Sequence, residues 1–126
     1  YDGKTEDDDG TTSWKLADEK KRMYNLVTRW HHEQLAWFLG RLRSINEDGQ
    51  TLLDNSMIVY GAGMADSNAH YSGNLPILLA GGGAGTGGSH LRYSEDTPLV
   101  NLHLSLLDKM GVPAKTLGDS TGKLSL

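Results

Sequence analysis

The chain has 126 residues, a formal net charge of −4, 37% hydrophobic residues and 16 glycines. Its length suits one compact domain, and its acidic balance argues against a nucleic-acid binder, which needs a basic face. Because the sequence has no cysteine, disulfides and thiolate metal sites are excluded. No apolar run reaches the roughly 18 residues that a membrane-spanning helix needs.

Residues 1–15 are polar and acidic, with the run EDDD at 6–9. This composition predicts a flexible, solvated arm. The spacing of the acidic residues fits part of a calcium-binding EF-hand loop. However, Thr5 and Leu16 occupy the first and last ligand positions of such a loop, which argues against a calcium site. Because Tyr1 rather than Met begins the chain, we expect it to be a product of a longer precursor. The lack of an export signal in this sequence is then no argument against secretion.

A long amphipathic helix is predicted from Leu16 to Ile45, where apolar residues recur at steps of three and four. At 1.5 Å per residue this helix would be roughly 40 Å long. Trp30 and Trp37 widen its apolar stripe. A helix with so wide an apolar face needs a large partner surface.

Two short apolar runs, 57–60 and 75–80, are typical of buried strands, since each is bounded by glycine or asparagine. In open α/β sheets ligands gather in loops at strand ends, so the loop between these runs is the predicted site. Asp66 and His70 lie four residues apart in it. A carboxylate and an imidazole can ligate a divalent metal or act as an acid/base pair. A hydrogen-bonded structural loop is the alternative. The further binding candidates in this loop are Ser67, Asn68 and Asn74.

The glycine tract at 81–88 contains the pattern G-x-G-x-x-G at Gly83, Gly85 and Gly88. A dinucleotide site would require a helix to open directly from this turn, but a short extended piece is predicted there instead. The tract is therefore interpreted as a flexible surface loop. His90 and Arg92 follow it, and the arginine could clamp an anion, although ordinary surface residues would look the same.

The last helix is predicted to start with Thr97 as N-cap and Pro98 at its first position. Gly111 suits the position after its end, and Pro113 prevents its continuation. The element order is thus helix, strand, loop, strand, glycine loop and helix. Two strands cannot bury both faces of an α/β sheet. Residues 16–126 are therefore expected to be the C-terminal part of a single α/β domain, whose sheet is completed by the rest of its precursor or by another protein chain.

Four blocks of the chain, together with the Asp66 to His70 loop, resemble the bacterial domain-of-unknown-function family 1552. The blocks are 52–61, 74–83, 97–113 and 118–122. The resemblance covers roughly residues 20–126. Members of that family are much longer secreted proteins, often with a twin-arginine export signal. The resemblance implies that this chain is a C-terminal third and that it is secreted or periplasmic.

A more distant resemblance connects the two strands and the last helix to the alkaline phosphatase and sulfatase superfamily. It implies a three-layer α/β/α sheet domain. That superfamily carries an Asp-His metal pair just after a strand, where this chain has 61–64, GAGM, and the nearest such residues are Asp66 and His70. The superfamily's nucleophile would lie upstream of this chain. The favoured expectation is therefore a non-catalytic binding or assembly component. The alternative is a hydrolase of phosphate or sulfate esters that holds a divalent metal with these two residues, so whether the chain is an enzyme stays open.

Overall fold

The computed structural model describes residues 12–85 and 87–126. These residues combine helices with short antiparallel strands, which confirms the mixed helix-and-strand character predicted from the sequence. The chain divides into two compact units between Leu42 and Arg43. In chain order the elements are α1 (Thr12–Arg43), β1 (Asn46–Glu47), β2 (Gln50–Thr51), β3 (Ile58–Gly61), β4 (Ile77–Ala80) and α2 (Val100–Lys109).

Helix α1 confirms the long helix predicted from apolar periodicity, although it begins at Thr12 and ends at Arg43. Most of the predicted acidic arm, residues 1–11, lies outside the described residues. The apolar stripe of α1 is largely solvent-exposed in the single chain, while Leu35, Leu39 and Leu42 are half-buried. The large exposed apolar side chains of α1 are Met23, Tyr24, Leu26, Val27, Trp30, Trp37 and Phe38.

A minimal hairpin, β1 and β2, follows α1. Its two-residue loop consists of Asp48 and Gly49, whose φ angles are 51° and 89°. Positive φ at both loop positions is the geometry of a type I′ turn, which matches the twist of antiparallel strands and favours the Asp-Gly pair. The sequence predicts the turn, and the structure adds two residues of strand on each side.

Strands β3 and β4 pair antiparallel, with Ile58 opposite Ala80 and Gly61 opposite Ile77. Opposite residues of an antiparallel pair lie on the same face, and successive residues alternate between faces. Ile77 and Leu79 pack against the buried core of this unit. The sheet therefore has one face toward the core, and its second face consists of Ile58, Tyr60, Leu78 and Ala80.

Helix α2 supplies most of the buried core. Leu102 and Leu106 are buried and form a cluster with Ala84 from the glycine tract, and Leu104 is 1% exposed. The partly buried residues that pack against this cluster come from the strands, the start of α2 and the end of the chain. They are Met57, Ile77, Leu79, Leu99, Leu124 and Leu126.

The predicted N-cap of the last helix is wrong. The hydroxyls of Thr97 and Ser94 bond to each other at 2.9 Å, so Thr97 does not cap the helix. A tight turn precedes the regular helix instead, in which the Asn101 amide donates to the Pro98 carbonyl at 3.0 Å. The helix then has Leu99 at its N-cap, without a side-chain hydrogen bond.

The predicted C-terminal end of α2 is confirmed. Gly111 has a φ of 76°, and its amide donates to the Asp108 carbonyl at 3.1 Å. The Val112 amide donates to the Leu107 carbonyl at 3.0 Å. These two bonds form a Schellman motif, which requires a left-handed residue and so favours glycine at this position. No helix within the described residues carries an apolar stretch that could cross a bilayer.

Candidate functional site

The predicted site loop, between β3 and β4, contains a small closed turn. Asp66 and Tyr71 form an isolated antiparallel bridge, in which the Tyr71 amide donates to the Asp66 carbonyl at 3.0 Å and the Ala65 amide donates to the Tyr71 carbonyl at 2.9 Å. This bridge places Asp66 and His70 in one turn. Both side chains are exposed. Tyr71, which closes the turn, was not identified from the sequence.

The Asp66 carboxylate forms hydrogen bonds within its own turn. Its Oδ1 accepts hydrogen bonds from the backbone amides of Asn68 at 2.9 Å and Ala69 at 3.2 Å. An aspartate that accepts bonds from amides two and three residues ahead stabilises a turn without any ligand. This supports the structural-loop alternative for Asp66, while the carboxylate keeps its other oxygen atom for further contacts.

Two residues of the site loop have left-handed backbone conformations. His70 and Asn74 each have a φ of 51°, which costs an ordinary side chain about 1–2 kcal/mol. A Cβ at Gly73 would meet the ring of Tyr71, so a larger residue there would require this exposed ring to move. The loop backbone is therefore shaped by specific residues around Tyr71.

The groups that the site loop offers for binding or catalysis are a few exposed polar side chains. Ser67 and Asn68 lie in the closed turn with His70. Within residues 12–85 and 87–126, no three or more His, Asp or Glu side chains are grouped as a metal site would need. Asp66 and His70 would thus supply two ligands, and water or further groups would have to complete the coordination.

His90 and Arg92 lie on a separate exposed segment after the glycine tract, in which the structure has neither helix nor strand. Among the described residues, no hydrogen bond or ion pair joins either side chain to the site loop. The structure therefore places Asp66, Ser67, Asn68 and His70 in one turn, and no described bond connects His90 or Arg92 to it.

The first glycines of the glycine tract pack against the turn at 51–56. The amides of Gly82 and Gly83 donate to the carbonyls of Leu53 and Ser56, each at 3.0 Å. A Cβ at Gly81, whose φ is 98°, would collide with the carbonyl of Ser56. Since the Gly83 amide is used within the protein, this part of the G-x-G-x-x-G pattern has a packing role. No helix opens after it, as predicted.

The turn at 51–56 contains a polar pair that sequence reasoning missed. The Thr51 amide and hydroxyl donate to Asp54 Oδ2 at 3.0 and 2.7 Å, and the Asp54 amide donates back to Thr51 Oγ1 at 3.2 Å. The hydrogen bond from the Thr51 hydroxyl, followed by that from the Thr51 amide, holds the pKa of Asp54 below its ordinary value of 3.8. The spacing T-x-x-D is a capping-box signal that could have revealed the pair.

A second missed group is buried on α2. Asn101 and Ser105 lie one helical turn apart inside the apolar face and are both buried. Asn101 bonds to Thr121, and Ser105 Oγ accepts a bond from the Leu124 amide at 2.7 Å. These side chains attach the C-terminal segment to the core. Two polar residues at i and i+4 within a leucine-rich stripe are the signal for such a contact.

Comparisons with protein-family models, with curated proteins and with solved structures found no match.

Proposed function

We propose that this chain is a non-catalytic binding or assembly component that docks onto a protein surface through α1. The observation that carries this proposal is the exposed apolar stripe of α1, in which Trp30 and Trp37 are 55% and 66% exposed. Contiguous exposed apolar patches on soluble proteins mark interaction sites. Tryptophan is also enriched among the residues that contribute most to protein interfaces.

The two faces of the β3–β4 sheet also support this proposal. The β3–β4 sheet is apolar on both faces, which is typical of sheets covered by helices on two sides. We therefore propose a three-layer α/β/α arrangement similar to the alkaline phosphatase superfamily, completed by the rest of the precursor or by another protein chain. Membership of family 1552 and a secreted or periplasmic location belong to this proposal, and the blocks at 52–61, 74–83, 97–113 and 118–122 support them.

Hydroxyl-radical footprinting tests the docking role of α1. All three tryptophans of the chain lie in α1, so their oxidation reports on this helix. We expect Trp30 and Trp37 to be oxidised rapidly in the purified chain and to be protected in the protein as its native host produces it. Met110, which is 65% exposed outside α1, is the control for general loss of labelling. Equal oxidation of both tryptophans in the two samples would refute the docking role.

A metal-dependent hydrolase of phosphate or sulfate esters is the second candidate function. The bridge from Asp66 to Tyr71 favours it, because it holds the two potential ligands Asp66 and His70 in one exposed turn. A divalent metal there would activate a nucleophile and stabilise charge on the ester oxygens. Asn68 would hydrogen-bond to one of the metal ligands and so fix its orientation.

Metal analysis separates the two functions. The full precursor and its Asp66→Ala and His70→Ala variants would be equilibrated with zinc or manganese, and bound metal would be measured by mass spectrometry. Stoichiometric metal that is lost in both variants supports the hydrolase. Ser72→Ala, at an exposed position in the same loop but beyond the closed turn, is the matched control and should leave the metal content unchanged.

A further inference from the structure

Residues 121–126, which we call the strap, lie against α2 and have neither helix nor strand structure. Leu124 and Leu126 are half-buried and pack against the core cluster, whereas the other four residues of the strap are exposed. Two apolar anchors that lie two residues apart are typical of an extended peptide, which presents alternate side chains to one surface. The strap is therefore held on α2 in the manner of a peptide ligand.

Side chains of α2 bond to the backbone of the strap. Asn101 Oδ1 accepts a bond from the Thr121 amide at 2.9 Å, and Ser105 Oγ accepts one from the Leu124 amide at 2.7 Å. Asn101 Nδ2 also donates to Thr121 Oγ1 at 2.9 Å, so the hydroxyl of this residue is recognised as well. Asn101 and Ser105 are 4% and 5% exposed. Because buried polar side chains need partners, these bonds fix the register of the strap along the helix.

Tyr93 contacts the strap from the segment that follows the glycine tract. Its hydroxyl donates to the Ser125 carbonyl at 2.6 Å. Lys123 forms an ion pair with Asp108, near the end of α2, but both side chains are more than 40% exposed, so this pair adds little. The strap thus lies in a groove, formed by α2 and Tyr93, that recognises its backbone through three side chains.

These contacts specify the sequence pattern Thr-Gly-x-Leu-x-Leu. Thr121 supplies the recognised hydroxyl, and the two leucines supply the apolar anchors. Gly122 has a φ of 154°, a conformation that residues with a side chain rarely adopt. The side chains of Lys123 and Ser125 are exposed, so the third and fifth positions of the pattern tolerate other residues.

We propose that this groove is a binding site for an extended segment of a partner protein that carries this pattern, and that the strap occupies it as a displaceable intramolecular ligand. The chemistry of the partner segment is defined by the strap, which is the occupant that the structure contains. A tethered ligand competes through an effective concentration in the millimolar range. Since four strap residues are exposed, a partner segment with further contacts at these positions binds better and displaces the strap.

Peptide competition on the unmodified chain tests the groove. An acetylated peptide with the sequence of residues 121–126 would be added to isotope-labelled chain, and hydrogen exchange of the chain's own Thr121 and Leu124 amides would be followed by NMR. Both amides donate to the groove, so millimolar peptide should accelerate their exchange at least tenfold as the strap is displaced. Unchanged exchange overturns the proposal.

Two altered peptides control for specificity. A peptide with serine in place of its first leucine lacks an apolar anchor and should leave the exchange of the strap amides unchanged. A peptide with alanine in place of its serine changes only the exposed position that matches Ser125 and should act as the original does. Equal effects of the leucine-containing and the leucine-free peptide would overturn recognition of the pattern.

Variants of the chain test the same competition from the strap's side. Leu126→Ser weakens the strap but leaves the groove intact, so the affinity of the chain for the labelled peptide, measured by fluorescence anisotropy, should rise at least tenfold. Ser125→Ala is the matched control at the adjacent exposed position and should bind the peptide as the unmodified chain does. Tyr93→Phe, added to Leu126→Ser, removes the hydroxyl that bonds to the strap backbone and should lower the affinity several-fold. Circular dichroism checks that each variant is folded.

The results also identify the source of the ligand. A folded Leu126→Ser chain that binds no peptide overturns the proposal, and the competition on the unmodified chain decides it if this variant does not fold. Strap amides that exchange faster when unlabelled chain is added instead of peptide indicate that a second copy supplies the segment, and overturn a partner protein as its source. The oxidation of Trp30 and Trp37 reports on α1 alone, so the docking role of α1 is decided separately from this groove.

Discussion

Asn101 and Thr121 are joined by two hydrogen bonds that connect α2 to the C-terminal segment. Asn101 Oδ1 accepts from the Thr121 amide and Asn101 Nδ2 donates to Thr121 Oγ1, each at 2.9 Å. Asn101 is 4% exposed, and no buried side-chain polar atom among the described residues lacks a partner. The pair therefore satisfies a buried amide and, at the same time, holds the segment that brings Leu124 and Leu126 to the core.

Replacing Asn101 by Ala should lower the free energy of unfolding by about 1–3 kcal/mol, because it leaves the Thr121 amide without its acceptor. Urea unfolding followed by circular dichroism measures the change, and amide hydrogen exchange should show faster exchange across residues 117–126. Asn25→Ala, at an exposed position on α1, should change stability by no more than about 0.5 kcal/mol. Unchanged exchange of the Thr121 amide in the Asn101 variant would contradict the link.

Replacing Gly81 by Ala should cost about 2–4 kcal/mol, since it combines a strained positive φ with a collision against the Ser56 carbonyl. Gly87→Ala, in the same tract, meets no atom within 4 Å and should lie within about 0.5 kcal/mol of the unmodified chain. Thermal unfolding of the two variants makes the comparison. Equal stability of the two variants would mean that the glycine tract does not pack against the turn at 51–56.

Replacing Trp30 by Ala should change the stability of the purified chain by no more than about 0.5 kcal/mol, because the side chain is more than half exposed. A buried tryptophan at this position would instead cost about 3–5 kcal/mol. Leu104→Ala is the positive control and should cost about 2–5 kcal/mol, since Leu104 is fully buried. Urea unfolding at submicromolar protein concentration distinguishes these outcomes.

Replacing Thr51 by Val should raise the pKa of Asp54 toward 3.8, because the hydroxyl that stabilises the charged carboxylate is lost. The folded-state pKa lies below the unfolded value, so the associated stability is present above pH 3.8 and is lost as pH falls through the folded-state pKa. Carboxyl chemical shifts followed by NMR over acidic pH measure the shift. Thr97→Val, which removes a hydroxyl bonded to Ser94, should leave the Asp54 titration unchanged.

Local sequence signals determined the elements whose causes are local. Apolar periodicity specified α1, because residues three and four apart share a helix face. Gly111 specified the end of α2, since a left-handed residue is needed there. The start of α2 was misassigned, because the Thr97 hydroxyl bonds to Ser94 rather than to the helix, and a competing local bond of this kind leaves no distinct pattern in the sequence.

The sequence by itself determined where polar chemistry is concentrated, namely in the loop that contains Asp66 and His70. Only the tertiary structure decided how these groups are used, because hydrogen bonds depend on distances that residue spacing does not determine. It showed Asp66 bonded to its own turn, Gly83 bonded to Ser56, and Asn101 bonded to Thr121 across 20 residues. It also left the stripe of α1 exposed, since periodicity identifies an apolar face but does not specify the surface that covers it.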